Sequence, residues 1–562
     1  MAAFARFAIS CSLVLVACGP SAITNGDGGA DDDDGGHTGP HQLSATEISP
    51  LNPIVELDLN EAGSQGFTVT GHYLDGVDED LTTQVTWSVE NAAVGAFNTG
   101  STLDIPARPA TAVDVSKIHA ELNGVGTAEA QITVVSYRRT GAATDFFFVL
   151  PYNDSAGQAM KPLEFGTAVP ALDVFFTMDT TFSMSGEITN LKNSVANTII
   201  PGIKAAVADT HFGIASFQDF PVSSYGAAGD QPTVFLSALT NDAAAVSAAV
   251  GTLSLGNGND IPEAGMEAIY QALTGEGLSA PSPTSVPATA LGYRSTAMPV
   301  IVEITDALWH EPGGTRNCLG NSTEYSAATT AHTRTQVKAA LAAKCARTVG
   351  IATDAGHGVA CGAQQDLEDF ATTTGARVPP AAWDVGTRPA GCGATQCCTG
   401  PAGAGRATDG AGLCPLVYLT DSNGTGLGAS VVTGIQMLAR FAAFDVLANR
   451  GGVATDIAGV ALPTPHTTAD FIKEITPVAF TLPAAPPIVP SPTFDATTFH
   501  GVTPGTKVKF NVNAYNDFLP QTANAQIFKA TITVTAGGCT PLDSRDVLIL
   551  VPPTAIQIGR FH

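Results

Sequence analysis

The chain is predicted to be multidomain: a β-sandwich, then an α/β doubly wound domain with a mainly parallel sheet, then a second β-sandwich flanking the α/β domain. Three observations predict this. Apolar and polar residues alternate with a period of two from about Thr46 to Val135, as in short strands with one wet face. From Leu172 onward, unbroken apolar runs alternate with segments in which apolar residues recur every three or four positions, so buried strands alternate with helices. Beyond a Pro-rich stretch, Pro483 to Pro492, the period of two returns. A length of 562 residues accommodates about three domains at roughly 100–200 residues each.

Residues 1–17 carry one cation, Arg6, ahead of an apolar core, Phe7 to Val16, too short to span a bilayer and read as a secretory signal. Leu15-Val16-Ala17-Cys18 resembles a bacterial lipobox. The resemblance implies that Cys18 is diacylated, that membrane contact is by lipid anchor only, and that the chain sits in the cell envelope, at the outer membrane or cell surface. Residues 18–43, with Asp31 to Asp34 in a run, form an acidic tether; they offer too little apolar surface to offset their ordering entropy. The whole chain has 51 acidic and 25 basic side chains, a formal charge of −26 and 44% hydrophobic residues. That composition is globular and acidic, and it excludes nucleic acid and anionic membrane surfaces as partners.

The first sandwich spans residues 44–137. Phe67, Val69 and Tyr73 alternate with Thr68, Thr70 and His72, and Val85, Trp87 and Val89 form a second run. Val85-Thr86-Trp87-Ser88-Val89 resembles the central strand of bacterial Ig-like repeats, which implies a spacer role. Trp87 is expected in the core rather than on a carbohydrate-binding face. Further strands are expected at Phe146 to Leu150, within 138–170, and at Lys507 to Val512, Ile527 to Val534 and Val547 to Val551, within 451–556.

The α/β domain spans 171–450. Its first strand, from Leu172, ends in Asp179-Thr180-Thr181-Phe182-Ser183, and Ile188, Leu191, Val195 and Ile199 follow at helical spacing. A carboxylate and hydroxyls in a strand-to-helix loop lie where open α/β sheets keep their sites, and one loop can offer three oxygens to a hard cation. Helix capping is the other use of such residues. Phe212 to Phe217, Val300 to Thr305, Thr348 to Thr353 and Leu416 to Leu419 read as strands; Met266 to Leu273, Val337 to Cys345 and Val431 to Val446 read as helices.

Asp179-x-Thr181-x-Ser183 resembles the DxTxS signature of von Willebrand factor A domains, and the integrin β I-like type best. Ala215 to Tyr225, Asp260 to Ile269 and Val302 to Ala307 follow in that family's order. The resemblance implies a metal ion-dependent adhesion site with Asp179, Thr181, Ser183, Glu263 and Asp306 holding Mg²⁺ or Mn²⁺. It also implies an adjacent Ca²⁺ site built from Asp219, Asn259, Asp260 and Glu263. A third site would need an acidic pair where Ser185-Gly186-Glu187 supplies only Glu187. The implied partner is a protein ligand presenting an Asp or Glu. In integrin β chains the domain is inserted into a sandwich, so 138–170 would complete 451–556; a self-contained C-terminal sandwich is the alternative. His310, beyond Asp306, is either a rim residue or an ordinary loop histidine.

Cys318, Cys345, Cys361, Cys392, Cys397, Cys398, Cys414 and Cys539 are even in number, as exported disulfides require, with connectivity open. Four fall in a Gly-rich insertion, 391–414, where zinc is the alternative without a paired CxxC spacing to support it. No GxSxG elbow, phosphate loop or HExxH helix occurs, since Pro312 interrupts His310-Glu311. The expected function is therefore adhesion or protein binding, not catalysis. The alternatives are a structural envelope lipoprotein whose cations only stabilise the fold and, behind it, a metal-dependent hydrolase.

Overall fold

The structure, a computed structural model, describes residues 40–140, 144–155, 159–326, 329–353, 361–386, 388–483 and 491–554. The signal, Cys18 and most of the tether lie outside them. There are three layered units, the second inserted in the third, and most of the described strands lie in sheets of three to six.

In the first unit, alternation buries every second side chain in strands such as Thr102–Ile105, while Gly126–Ser136 buries a continuous run at its end. Its longest hairpin pairs Ala112–Leu122 with Gly126–Ser136. Trp87 packs on Phe67 and Phe97 with ring centroids 6.0 and 5.5 Å away, and its Nε1 donates to the Thr82 carbonyl at 3.2 Å. The indole thus belongs to the core.

The C-terminal sandwich draws strands from both sides of the α/β unit. Phe146–Val149 pairs in parallel with Thr540–Val551, and Ala159–Gly166 pairs antiparallel with Lys507–Ala514. The chain enters this sandwich, leaves it to build the α/β unit, and returns. Phe444–Gly451 belongs to the sandwich, where it lies between Thr498–Val502 and Gln526–Ala536. The helix read over Val431 to Val446, and the α/β boundary at 450, therefore run too far. The helix stops at Phe441 because Ala442 turns extended, and buried Phe444 and Val446 around exposed Asp445 have a strand's period. Phe441-Ala442-Ala443-Phe444 is apolar throughout and hides that change of period.

The main sheet of the α/β unit holds six strands: β1 (Ala171–Asp179), β2 (Asp209–Phe217), β3 (Val234–Thr240), β4 (Met298–Thr305), β5 (Arg347–Thr353) and β6 (Val417–Thr420). Their order is β3-β2-β1-β4-β5-β6. All neighbours are parallel except β3, which is antiparallel to β2. Among the described residues six helices of nine or more residues accompany the sheet, α1 (Ser185–Ser194), α2 (Ala243–Gly251), α3 (Gly265–Thr274), α4 (Arg334–Ala343), α5 (Gln364–Thr373) and α6 (Leu427–Phe441), with a shorter one at Ile200–Lys204. α1 touches α2 and α6, and α3 touches α4, while Lys338 and Arg334 tie α4 to α5 through Asp369. With neighbours on both edges and helices packed against it, β1 buries all nine of its residues.

The eight cysteines pair as Cys318–Cys361, Cys345–Cys539, Cys392–Cys398 and Cys397–Cys414. The zinc alternative for the insertion is thereby replaced by two short disulfide loops, which brace a segment with little core of its own. Among the described residues no helix is long and apolar enough to cross a membrane.

Candidate metal centre

β1 lies centrally in the sheet and delivers Asp179 to its carboxyl edge. The Thr181 amide and hydroxyl both donate to Asp179 Oδ1, at 2.9 and 2.7 Å. From the last residue of β4, the Thr305 hydroxyl donates to Oδ2 at 2.7 Å. The parallel pairing of β1 with β4 sets Thr305 at that height. The only sequence signal for Thr305 is a hydroxyl directly before Asp306. The Thr181 and Ser183 hydroxyls lie 3.4 Å apart. Neither is used as a helix cap: the first residue before α1 is Met184, and no side chain caps either this helix or the short turn preceding it.

Glu263 and Asp306 come from different loops that are laced together. The Glu263 amide donates to the Leu308 carbonyl at 3.0 Å, and the His310 amide donates to the Glu263 carbonyl at 2.9 Å. Both carboxylates are buried, and Glu263 Oε2 has no hydrogen-bond partner. A cleft of about 180 Å³ opens onto Thr181, Ser183, Asp260, Glu263 and Asp306, with Phe182 at its lip. Phe182 is 73% exposed. Burial, then the charge of Asp306, pushes Asp179 up to about 7. Glu263 is held well above the carboxylate range by burial first, then by Asp179, Asp219, Asp306 and Asp260. Buried carboxylates with each other for neighbours are costly unless a positive charge joins them. Together with the adjacent hydroxyls, this donor set suits a hard divalent cation.

A second group adjoins the first. Donor atoms of Asp219, Asp260 and His310 lie within 4.8 Å of one another. The Phe220 amide donates to Asp219 Oδ1 at 2.6 Å, and the Tyr325 hydroxyl donates to the same oxygen. Burial pushes Asp219 up to about 7 against the opposing pull of His310. Asn259 is exposed, whereas Asn257 lines the cleft. His310, read from sequence as a rim or loop residue, is 1% exposed and takes part in this group. Glu187 is equally buried at the start of α1, and its Oε2 has no hydrogen-bond partner.

No protein-family model matches the chain. Ice-binding protein 1 of Shewanella frigidimarina is 34% identical over 83 residues, which are 15% of this chain and 9% of that protein. Among solved structures, a von Willebrand factor type A protein from Catenulispora acidiphila overlaps 74% of this chain and 75% of its own, with a TM-score of 0.29 and 10% identity. Proximal thread matrix protein 1 of the mussel byssus overlaps 50% of this chain and 48% of its own (TM-score 0.25, 10% identity). The pilus adhesin SpaC of Lactobacillus rhamnosus GG overlaps 78% of this chain and 46% of its own (TM-score 0.25, 9% identity). At TM-scores this low the overlaps decide neither the fold nor the ligand of this chain; its own topology and site geometry have to carry both.

Proposed function

We propose that this protein is a lipid-anchored binding module of the cell envelope, built on a doubly wound von Willebrand factor A domain of the integrin β I-like kind. Asp179, Glu263 and Asp306 would hold Mg²⁺ or Mn²⁺ together with the hydroxyls of Thr181 and Ser183. A bound cation supplies positive charge and a coordination position left open to the cleft, where a partner protein's Asp or Glu would complete the shell. The chain's own residues do the positioning. Thr181 and Thr305 fix both oxygens of Asp179, and backbone hydrogen bonds tie the segment carrying Glu263 to the loop after β4 that carries Asp306.

The observation that carries this reading is the buried, unpartnered Glu263 Oε2 beside Asp179 and Asp306 at the mouth of a cleft. An unsatisfied anionic oxygen costs several kcal/mol unless something compensates it. Calorimetric titration with Mg²⁺ tests the assignment. Asp179→Ala and Glu263→Ala should each abolish binding while circular dichroism stays near wild type, because β1 keeps its core contacts. Unchanged Mg²⁺ affinity in Asp179→Ala would overturn it. Partner capture lost with folding intact separates binding from a purely structural role.

A further inference from the structure

We infer that Asp219, Asp260 and His310 form a second metal centre that takes a borderline transition ion such as Zn²⁺ in preference to Ca²⁺. His310 Nε2 lies 3.2 Å from Asp260 Oδ1 and 3.5 Å from Asp219 Oδ2. A tetrahedral ion with bonds of about 2.0–2.1 Å separates its donors by roughly 3.3–3.4 Å. Both separations from the imidazole nitrogen thus already stand at the spacing of ligands around one ion, and the two carboxylates come within 4.8 Å of each other.

The donor chemistry narrows the ion. Ca²⁺ takes six to eight oxygens, whereas imidazole nitrogen suits zinc, copper, iron and nickel. Exposed Asn259 adds nothing to an all-oxygen shell here, and buried His310 stands inside the group instead. Two carboxylates and one imidazole, with water in the fourth position, make an open zinc-type site.

A hydrogen-bonded pair does not account for the group. One Nε2–H directed at Asp260 serves one carboxylate, and Asp219 Oδ2, fully buried, is left with no hydrogen-bond partner. A cation between the three serves both acids at once. Two aromatic rings hold the imidazole where it stands, while its other ring nitrogen, Nδ1, is buried without a hydrogen-bond partner. Tyr325 stacks on the ring at 4.5 Å with an interplanar angle of 26°, and Tyr225 meets it edge-on at 4.9 Å. Because the His310 amide donates to the Glu263 carbonyl, an ion that fixes His310 also stiffens the segment carrying Glu263. The second centre is then a positioning element for the first.

The test is equilibrium dialysis of the full chain against buffered Zn²⁺ or Ca²⁺, with bound metal counted by mass spectrometry. Wild type should hold one Zn²⁺ equivalent that a hundredfold excess of Ca²⁺ does not displace. His310→Gln should weaken that equivalent by roughly 100-fold or more, beyond the 10–100-fold that loss of a mere supporting partner costs. Asp260→Asn, at a less enclosed position, reads the same quantity if His310→Gln fails to fold. Asp179→Ala should keep the Zn²⁺ while losing Mg²⁺, so the two centres stand or fall separately. Folded wild type taking up no such equivalent, its retention in both His310→Gln and Asp260→Asn, or its displacement by Ca²⁺ would overturn the inference.

Discussion

Glu187 shows how far single residues here depart from their solution behaviour. It is 1% exposed, and burial pushes its carboxyl up to about 7, with the charges of Asp306, Asp179 and Asp421 adding to the shift. Between roughly 4.3, the unfolded value, and about 7, the folded chain keeps a proton that the unfolded chain has lost. Stability therefore falls as pH rises through that window, and the whole penalty is present above it. In chelator at pH 8, Glu187→Gln should be more stable than wild type by on the order of 2 kcal/mol, and the difference should vanish near pH 4. Urea midpoints at the two pH values check this. Equal midpoints at pH 8 would mean that the carboxylate finds compensation other than a proton.

Helix α2 and strand β3 went unread in the sequence for reasons their side chains explain. Ala243 to Gly251 is nearly uniform in hydrophobicity, so no apolar stripe contrasts with a polar face. Strand β3 is an antiparallel edge with no fully buried residue, and it lacks the nine consecutive buried positions of β1. What does mark α2 is its cap: Asp242 Oδ1 accepts from the Ala244 and Ala245 amides at 2.9 and 3.2 Å. Asp242→Ala should cost about 1 kcal/mol, read as a lowered denaturation midpoint with Mg²⁺ binding unchanged. An unshifted midpoint would mean that packing of Val246 and Val250 holds α2 without its cap. The carboxylate cluster is more legible than these elements because its residues are unusual types at fixed offsets: Asp179, Thr181 and Ser183 alternate on one loop, and Asp306 follows the strand-like run Val300 to Thr305. His310 is not legible in the sequence because one histidine in a loop has no period, and only the return of that loop to Asp219 and Asp260 reveals its neighbours.

For the whole molecule, cysteine parity could indicate crosslinking but not its connectivity, since pairing depends on which loops the fold brings together. Cys345–Cys539 spans 194 residues of sequence and joins the end of α4 to the turn between Gln526–Ala536 and Thr540–Val551. It therefore adds a third covalent link to the two chain crossings between the α/β unit and the sandwich. Cys345 precedes the amino end of β5, the pole of the sheet opposite the carboxylate cluster. A cavity of about 190 Å³ adjoins this bridge, bordered by Arg347, Gly537 and Thr540. Cys539 is exposed and Cys345 half-buried, whereas the other six cysteines are at most 7% exposed. Thiol–disulfide exchange needs access to a sulfur, so limited reductant followed by alkylation should label Cys345 and Cys539 first, as peptide mass spectrometry would show. The double variant Cys345→Ser, Cys539→Ser should lose about 2–4 kcal/mol of stability yet bind Mg²⁺ as wild type does, because the crosslink and the cleft sit at opposite poles of one sheet. Simultaneous labelling of all eight thiols would instead mean that the units open cooperatively and that the bridge is no more accessible than the core.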